Sequence, residues 1–141
     1  MTTERSLVLV KPDGFARGLT GEVLRRIEAK GYRLVALQVL TPDVERLHSH
    51  YAEHQGKPFY PELLDFIGRS PAITLVLEGP EDTWKVVRTL MGATNPRESA
   101  PGTIRGDFAL DLGRNVVHGS DSPASAAREI AIFFADSELG G

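Results

Sequence analysis

The amino-acid sequence predicts an α/β sandwich, one small sheet with helices packed against it. Short valine-rich runs alternate along the chain with amphipathic stretches of helical period, the pattern of a mixed α/β fold. The chain has 141 residues, 41% of them apolar, and a chain of that length buries roughly 70% of its unfolded surface, enough for one core. No repeat, low-complexity tract or second hydrophobic unit interrupts the pattern, so residues 1–141 are expected to form a single domain.

The elements follow in order. "SLVLV" (6–10) is a continuous apolar run that suits a strand buried on both faces, and it ends at "KPDG", whose proline and glycine put Lys11 beside a turn. "TGEVLRRIEAKG" places Val23, Leu24 and Ile27 at helical spacing, with Thr20 as candidate cap and Gly31 as stop. "RLVALQVL" (33–40) alternates Val35, Leu37 and Val39 on one face of a second strand. Two short helices are expected over 43–55 and 61–68, parted by "GKPFYP". "AITLVLE" (72–78) is the third strand. "PEDTWKVVRTLMG" then opens with acidic residues and sets Val86, Val87, Leu90 and Met91 in a helical pattern closed by Gly92. From Gly92 to Gly106 no element is evident, and so long a gap in a compact domain suggests a functional segment. "NVVHG" is the candidate fourth strand; "FALDL" (108–112) could also be that strand, a choice that periodicity leaves open in so short a run, and a helical turn is preferred for it. "SDSPASAAREIAIFF" starts a helix with Ser122 as cap and Pro123 at its first position, burying Ile130, Phe133 and Phe134. With four strands the order matches a split βαβ, ferredoxin-like plan, βαββαβ with a four-stranded antiparallel sheet and added helices.

Composition narrows the function classes. The chain has no cysteine, which removes thiol nucleophiles, zinc–cysteine sites and disulfide scaffolds and fits a reducing compartment. The N-terminal residues are polar and no apolar run approaches the ~20 residues of a membrane span, so a cytoplasmic protein with no membrane partner is expected. The net charge of −3 argues against a nucleic-acid partner. Within 85–114, however, Lys85, Arg88, Arg97, Arg105 and Arg114 face only Glu98, Asp107 and Asp111, a local +2 in an acidic chain. Such a segment is either a solvated surface or an anion pocket.

The common motifs fail. Gly56-Lys57 is followed by Pro58, so there is no P-loop, and no G-x-G-x-x-G occurs. His50 and His54 share a helical spacing but lack the glutamate of a zinc protease, so they read as solvated histidines. Ser120 lacks the G-x-S-x-G elbow of a hydrolase. His118 remains. It ends the short strand "NVVHG" and precedes Gly119, Ser120, Asp121 and Ser122, residues of turns and helix caps, so it stands at a junction rather than inside an apolar pattern.

Taken together, "VKPDG", "HYAEHQGKPFY", "TNPRESAPGTIRGDF" and "NVVHGSDS" resemble the nucleoside diphosphate kinase family, in order and spacing, over roughly residues 4–134. The resemblance implies a ping-pong enzyme that passes the γ-phosphoryl of a nucleoside triphosphate to His118 and on to a nucleoside diphosphate, with Mg2+ on the phosphates. It implies attack by Nδ1 of His118, a hydrogen bond from the other ring nitrogen to Glu129, and a steadying role for Ser120. Arg88, Thr94 and Arg105 match phosphate-contacting positions. Lys11 and Asn115 match those reaching the ribose 3′-hydroxyl and terminal phosphate, and Tyr51 lies near the transferred group. Phe59 and Leu112 match a clamp on the base, indifferent to its identity. Arg97 and Arg114 match no phosphate position and read as surface ion pairs. No side-chain metal site is implied, and a homo-oligomer, tetramer or hexamer, is.

The chain departs from its relatives at Ser70-Pro71, where Gly-Pro is frequent, and in an extra residue between Gly79 and Arg88. The short C-terminus puts tail contacts between subunits in doubt. Two other readings stay open: a non-catalytic nucleotide sensor, since fold alone does not specify activity, and a phosphohistidine carrier loaded by a protein.

Overall fold

The computed structural model describes residues 3–40 and 70–139. The two short helices expected over 43–55 and 61–68, with His50, His54, Tyr51 and Phe59, lie outside those residues. The four expected strands form: β1 (Thr3–Val10), β2 (Arg33–Leu40), β3 (Ala72–Pro80) and β4 (Val117–Gly119). They make one antiparallel sheet in the order β2-β3-β1-β4, the ferredoxin-like arrangement. Its helices are α1 (Pro12–Ala16), α2 (Thr20–Lys30), α3 (Thr83–Met91), α4 (Ile104–Phe108) and α5 (Pro123–Phe133).

β1 lies inside the sheet, between β3 and β4, and its side chains alternate between two cores. Val8 and Val10 join Val23 and Ile27 of α2, Val87 and Met91 of α3 and Ile104 of α4. Leu7 and Leu9 face the other way, onto Ile130 and Phe133 of α5. All four are at most 1% exposed, which explains why this strand reads as an unbroken apolar run. Burying each contributes about 1.5–3 kcal/mol.

Gly31 ends α2 in the left-handed region, at φ 116°, where glycine carries no Cβ penalty. Ser122 accepts a hydrogen bond from the Ser125 N–H, with Pro123 in the first turn of α5.

Five local expectations are corrected. The turn at "KPDG" is a one-turn helix, α1, because Pro12 is preorganised for a first helical position. Leu19, not Thr20, sits at the cap of α2, since the chain enters it directly from the α1 turn. Val35, Leu37 and Val39 do not share a face. A register shift between Leu34 and Ala36 puts Val35 and Ala36 on the same side and leaves Leu37 and Val39 exposed, as a bulge does. The span 92–106 holds a 3₁₀ turn, Pro96–Glu98, and the start of α4, both too short to carry a period. Phe108 closes α4, and beyond it Asp111 bridges Arg114 rather than forming a helical turn.

Between β3 and α3, Asp82 adopts φ 69° and its side chain makes no capping bond. That left-handed kink falls in the stretch where the extra residue was expected.

Candidate active site

Strand parity builds the centre. His118 pairs with Leu9 across the ladder, and Ser120 donates its backbone N–H to Leu7 O. Both therefore point to the side of the sheet that Leu7 and Leu9 present to α5. Glu129, at the end of the second turn of α5, meets them there. His118 Nε2 lies 3.0 Å from Glu129 Oε1, and Ser120 Oγ donates to the same oxygen at 3.1 Å. Glu129 and Ser120 are buried, while the His118 side chain remains 35% accessible. When Nε2–H donates to the carboxylate, the neutral ring carries its lone pair on Nδ1. Nδ1 has no hydrogen-bond partner among the described residues.

Residues 115–117 aim this histidine. Val116 has φ 73°, a conformation that costs a β-branched residue about 1–3 kcal/mol. Three groups impose it. Its N–H donates to Asp13 Oδ2 at 3.0 Å, its carbonyl accepts from Lys11 N at 2.9 Å, and Gly14 packs so closely on that carbonyl that a Cβ would stand 2.9 Å from it. The Pro12–Ala16 helix thus serves as a seat for the turn before β4.

The cations converge on the same edge. Lys11 closes β1, 6% exposed, and its Nζ donates to Asn115 Oδ1 at 2.8 Å. Asn115 Nδ2 in turn donates to Thr94 O. Arg88, on α3, donates to Gly119 O at 3.0 Å, one residue beyond the histidine. Arg105 is 4% exposed and is held by carbonyls alone, those of Gly92, Asn115 and Val117. No carboxylate pairs with it among the described residues. Burial, and secondarily repulsion from Arg88, lower its pKa to about 10, which still leaves it charged at neutral pH. Hydrogen bonding from Ser125 holds the Asp121 carboxyl below its ordinary range, with the nearby Arg88 and His118 adding to the effect.

Of the eleven expected site residues, nine lie on described positions, and seven of those nine cluster. Lys11, Arg88, Arg105, Asn115, His118, Ser120 and Glu129 gather around one end of β1 and β4. Thr94 is exposed and contributes its carbonyl. Leu112 is 59% exposed on the loop after α4, an open apolar surface. Arg114 pairs with Asp111 on the surface, as expected, whereas Arg97 makes no ion pair among the described residues. Sequence reasoning missed Asp13 and Asp121. Asp13 offered no signal, because its partner is a backbone N–H 103 residues away. Asp121 lay inside the quoted "HGSDS", and its charge beside a cationic cluster was a usable cue.

A buried arginine that no carboxylate pairs with among the described residues, next to a histidine with one nitrogen engaged and the other open, suits transfer of an anionic group. A family model described as nucleoside diphosphate kinase matches residues 4–139. A nucleoside diphosphate kinase of Archaeoglobus fulgidus is 58% identical over 136 residues, which cover 96% of this chain and 89% of the relative. One from Moorella thermoacetica is 55% identical over 140 residues, 99% of this chain and all of the relative. Among solved structures, a halophilic nucleoside diphosphate kinase from Halobacterium salinarum in complex with CDP superposes with a TM-score of 0.82 at 47% identity, covering 99% of this chain and 93% of that one. A family protein from Babesia bovis gives 0.83 at 46% identity, covering 98% and 93%.

These matches put the chain among the phosphotransferases. It belongs to the nucleoside diphosphate kinase family, and its activity is that family's ping-pong transfer of a phosphoryl group between nucleotides.

Proposed function

We propose that His118 is the group that carries the phosphoryl between the two half-reactions. The observation behind this reading is the contact of His118 Nε2 with the buried Glu129–Ser120 pair, beside an Arg105 that pairs with no carboxylate among the described residues. Nδ1 attacks the γ-phosphorus of the triphosphate, usually ATP. A P–N bond forms, the bond to the bridging oxygen breaks, and the diphosphate leaves with that electron pair. Positive charge develops on the ring as Nε2 keeps its proton, and the Glu129 carboxylate faces that charge. In the second half-reaction a diphosphate oxygen attacks the phosphorus, and the pair returns to Nδ1. Histidine suits the task because neutral imidazole needs no base to make it nucleophilic.

The remaining roles follow the electrostatics. Arg88, Thr94 and Arg105 contact the phosphates, whose transferred oxygens need positioning and neutralisation more than covalent help. Lys11, held by Asn115, reaches the terminal phosphate and the ribose 3′-hydroxyl, with Asn115 beside it. Tyr51 stands near the transferred group. Phe59 and Leu112 sandwich the base, and neither side chain can read a base edge.

The donor set fits a magnesium ion that arrives on the phosphates. Among the described residues no three carboxylates or histidines converge, and the clustered cations repel a bare dication while accepting its polyphosphate complex. Asp121, beside Arg88 and His118, is a carboxylate placed to face that complex. Bound there, the ion supplies charge neutralisation on the phosphate oxygens.

A single domain over 1–141 acting as a homo-oligomer in the cytoplasm completes the reading. The exposed Leu37 and Val39 on edge strand β2 support the oligomer; sedimentation distinguishes tetramer from hexamer. The catalytic assignment is tested with His118→Ala. That variant should still bind ADP but lose all exchange of label between γ-labelled ATP and GDP. Exchange that persists in it overturns the assignment.

A further inference from the structure

Arg105 sits on α4, a helix of five residues, too short to hold a position by its own hydrogen bonds. Ile104 anchors it from within the core. Outside, a single side chain of α2 spans both of its ends. Arg26 Nη2 donates to Asp107 Oδ2 at 2.8 Å, and Nη1 donates to Gly102 O at 3.3 Å. Its guanidinium carbon lies 4.9 Å from the centroid of the Phe108 ring. Asp107 closes the loop, its Oδ1 accepting from Gly102 N at 2.9 Å. Glu22, one turn back on α2, orients the fork by accepting from Arg26 Nε at 3.0 Å.

We infer that Arg26, acting with Asp107, is a positioning residue for nucleotide binding: it clamps the segment Gly102–Phe108 and so fixes Arg105 where the phosphates arrive. This rests on the assignment of Arg105 to phosphate contact. The partners of Arg26 are Gly102 O, Asp107, Glu22 and the Phe108 ring, whereas Arg105 is gripped by the carbonyls of Gly92, Asn115 and Val117. Its effect on the nucleotide therefore passes through the segment that carries Arg105. A guanidinium is required, because a lysine ammonium can pair with Asp107 but cannot also span to Gly102 O and lie flat over Phe108.

Steady-state kinetics with ATP and a diphosphate acceptor, with melting temperature as a check on folding, tests this. Arg26→Ala should raise the nucleotide KM about ten-fold, with kcat within about two-fold of wild type, the pattern of lost uniform binding. Asp107→Asn should produce a smaller rise, and Arg26→Lys should rescue only in part. In an Arg105→Lys background, whose own KM should already be raised, Arg26→Ala should add little, since the two act as one unit. If Arg26→Ala folds poorly, Arg26→Lys and Asp107→Asn carry the same cycle. An unchanged KM in the Arg26 and Asp107 variants, or a full additional rise on top of Arg105→Lys, overturns the clamp while leaving Arg105's own role intact. An unchanged KM in Arg105→Lys alone overturns the phosphate assignment and the clamp with it.

Discussion

Val116 shows how a strained residue serves a neighbour. A β-branched side chain at φ 73° persists only where its surroundings over-determine it, and here Asp13, Lys11 N and Gly14 do so. Asp13→Ala leaves the Val116 N–H without its acceptor, at about 1–3 kcal/mol, and lets the turn relax. The variant should be less stable in denaturant and phosphorylate His118 more slowly, while Asp13→Asn, which keeps an acceptor oxygen, should retain most of both. Equal behaviour of the two variants would show that the carboxamide oxygen cannot seat the turn. In the proposed mechanism Glu129, which touches His118, and Ser120, which touches Glu129, act through the imidazole rather than on phosphorus. Glu129→Gln and Ser120→Ala should therefore slow single-turnover transfer by about 10–100-fold, against complete loss in His118→Ala. Wild-type rates in both, at elevated pH and temperature, would make the pair purely structural.

At the scale of elements, the short helix α4 is held partly by charge, and pH should reveal it. The Gly102 N–H, and after it Arg26, keep the Asp107 carboxyl below its ordinary range. A carboxylate with a depressed native pKa contributes stability above its unfolded pKa, about 3.9, and loses it as pH falls through the lower native value. Melting temperature should therefore drop less steeply below about pH 4 in Asp107→Asn than in the wild type, and parallel curves would contradict the link.

The same scale shows what the sequence can carry. "SLVLV" and "AITLVLE" were legible as strands because both of their faces are buried. The α5 start was legible because Ser122 and Pro123 are local signals. The bulge in β2 was not, since it is set by pairing with β3, and α4 was not, because five residues complete little more than one turn. In the site, His118, Ser120 and the basic segment stand out in the chain itself, whereas the meeting of Glu129 with His118 depends on how α5 folds back. Roles for Lys11, Asn115, Phe59 and Leu112 came only from the family resemblance; no spacing rule gives them.

For the whole molecule, the proposed pocket grips what nucleotides share. In the proposed pose a base pressed between apolar surfaces gains contact that is nearly independent of its identity, while a missing 3′-hydroxyl removes the hydrogen bond proposed to the charged Lys11, at about 1.5–3 kcal/mol. ATP, GTP and CTP should phosphorylate the enzyme at rates within about ten-fold of one another, and a 3′-deoxy triphosphate should be slower in transfer as well as weaker in binding. Strong discrimination among bases with indifference to the sugar would refute this pose. The most direct measurement takes the intact enzyme, loads it with γ-labelled ATP, quenches it in alkali and maps the label by peptide mass spectrometry before and after a GDP chase. The label should sit on His118, vanish in acid and move entirely to GTP in the chase. A label on any other residue, or one on His118 that GDP cannot remove, would contradict His118 as the phosphoryl carrier.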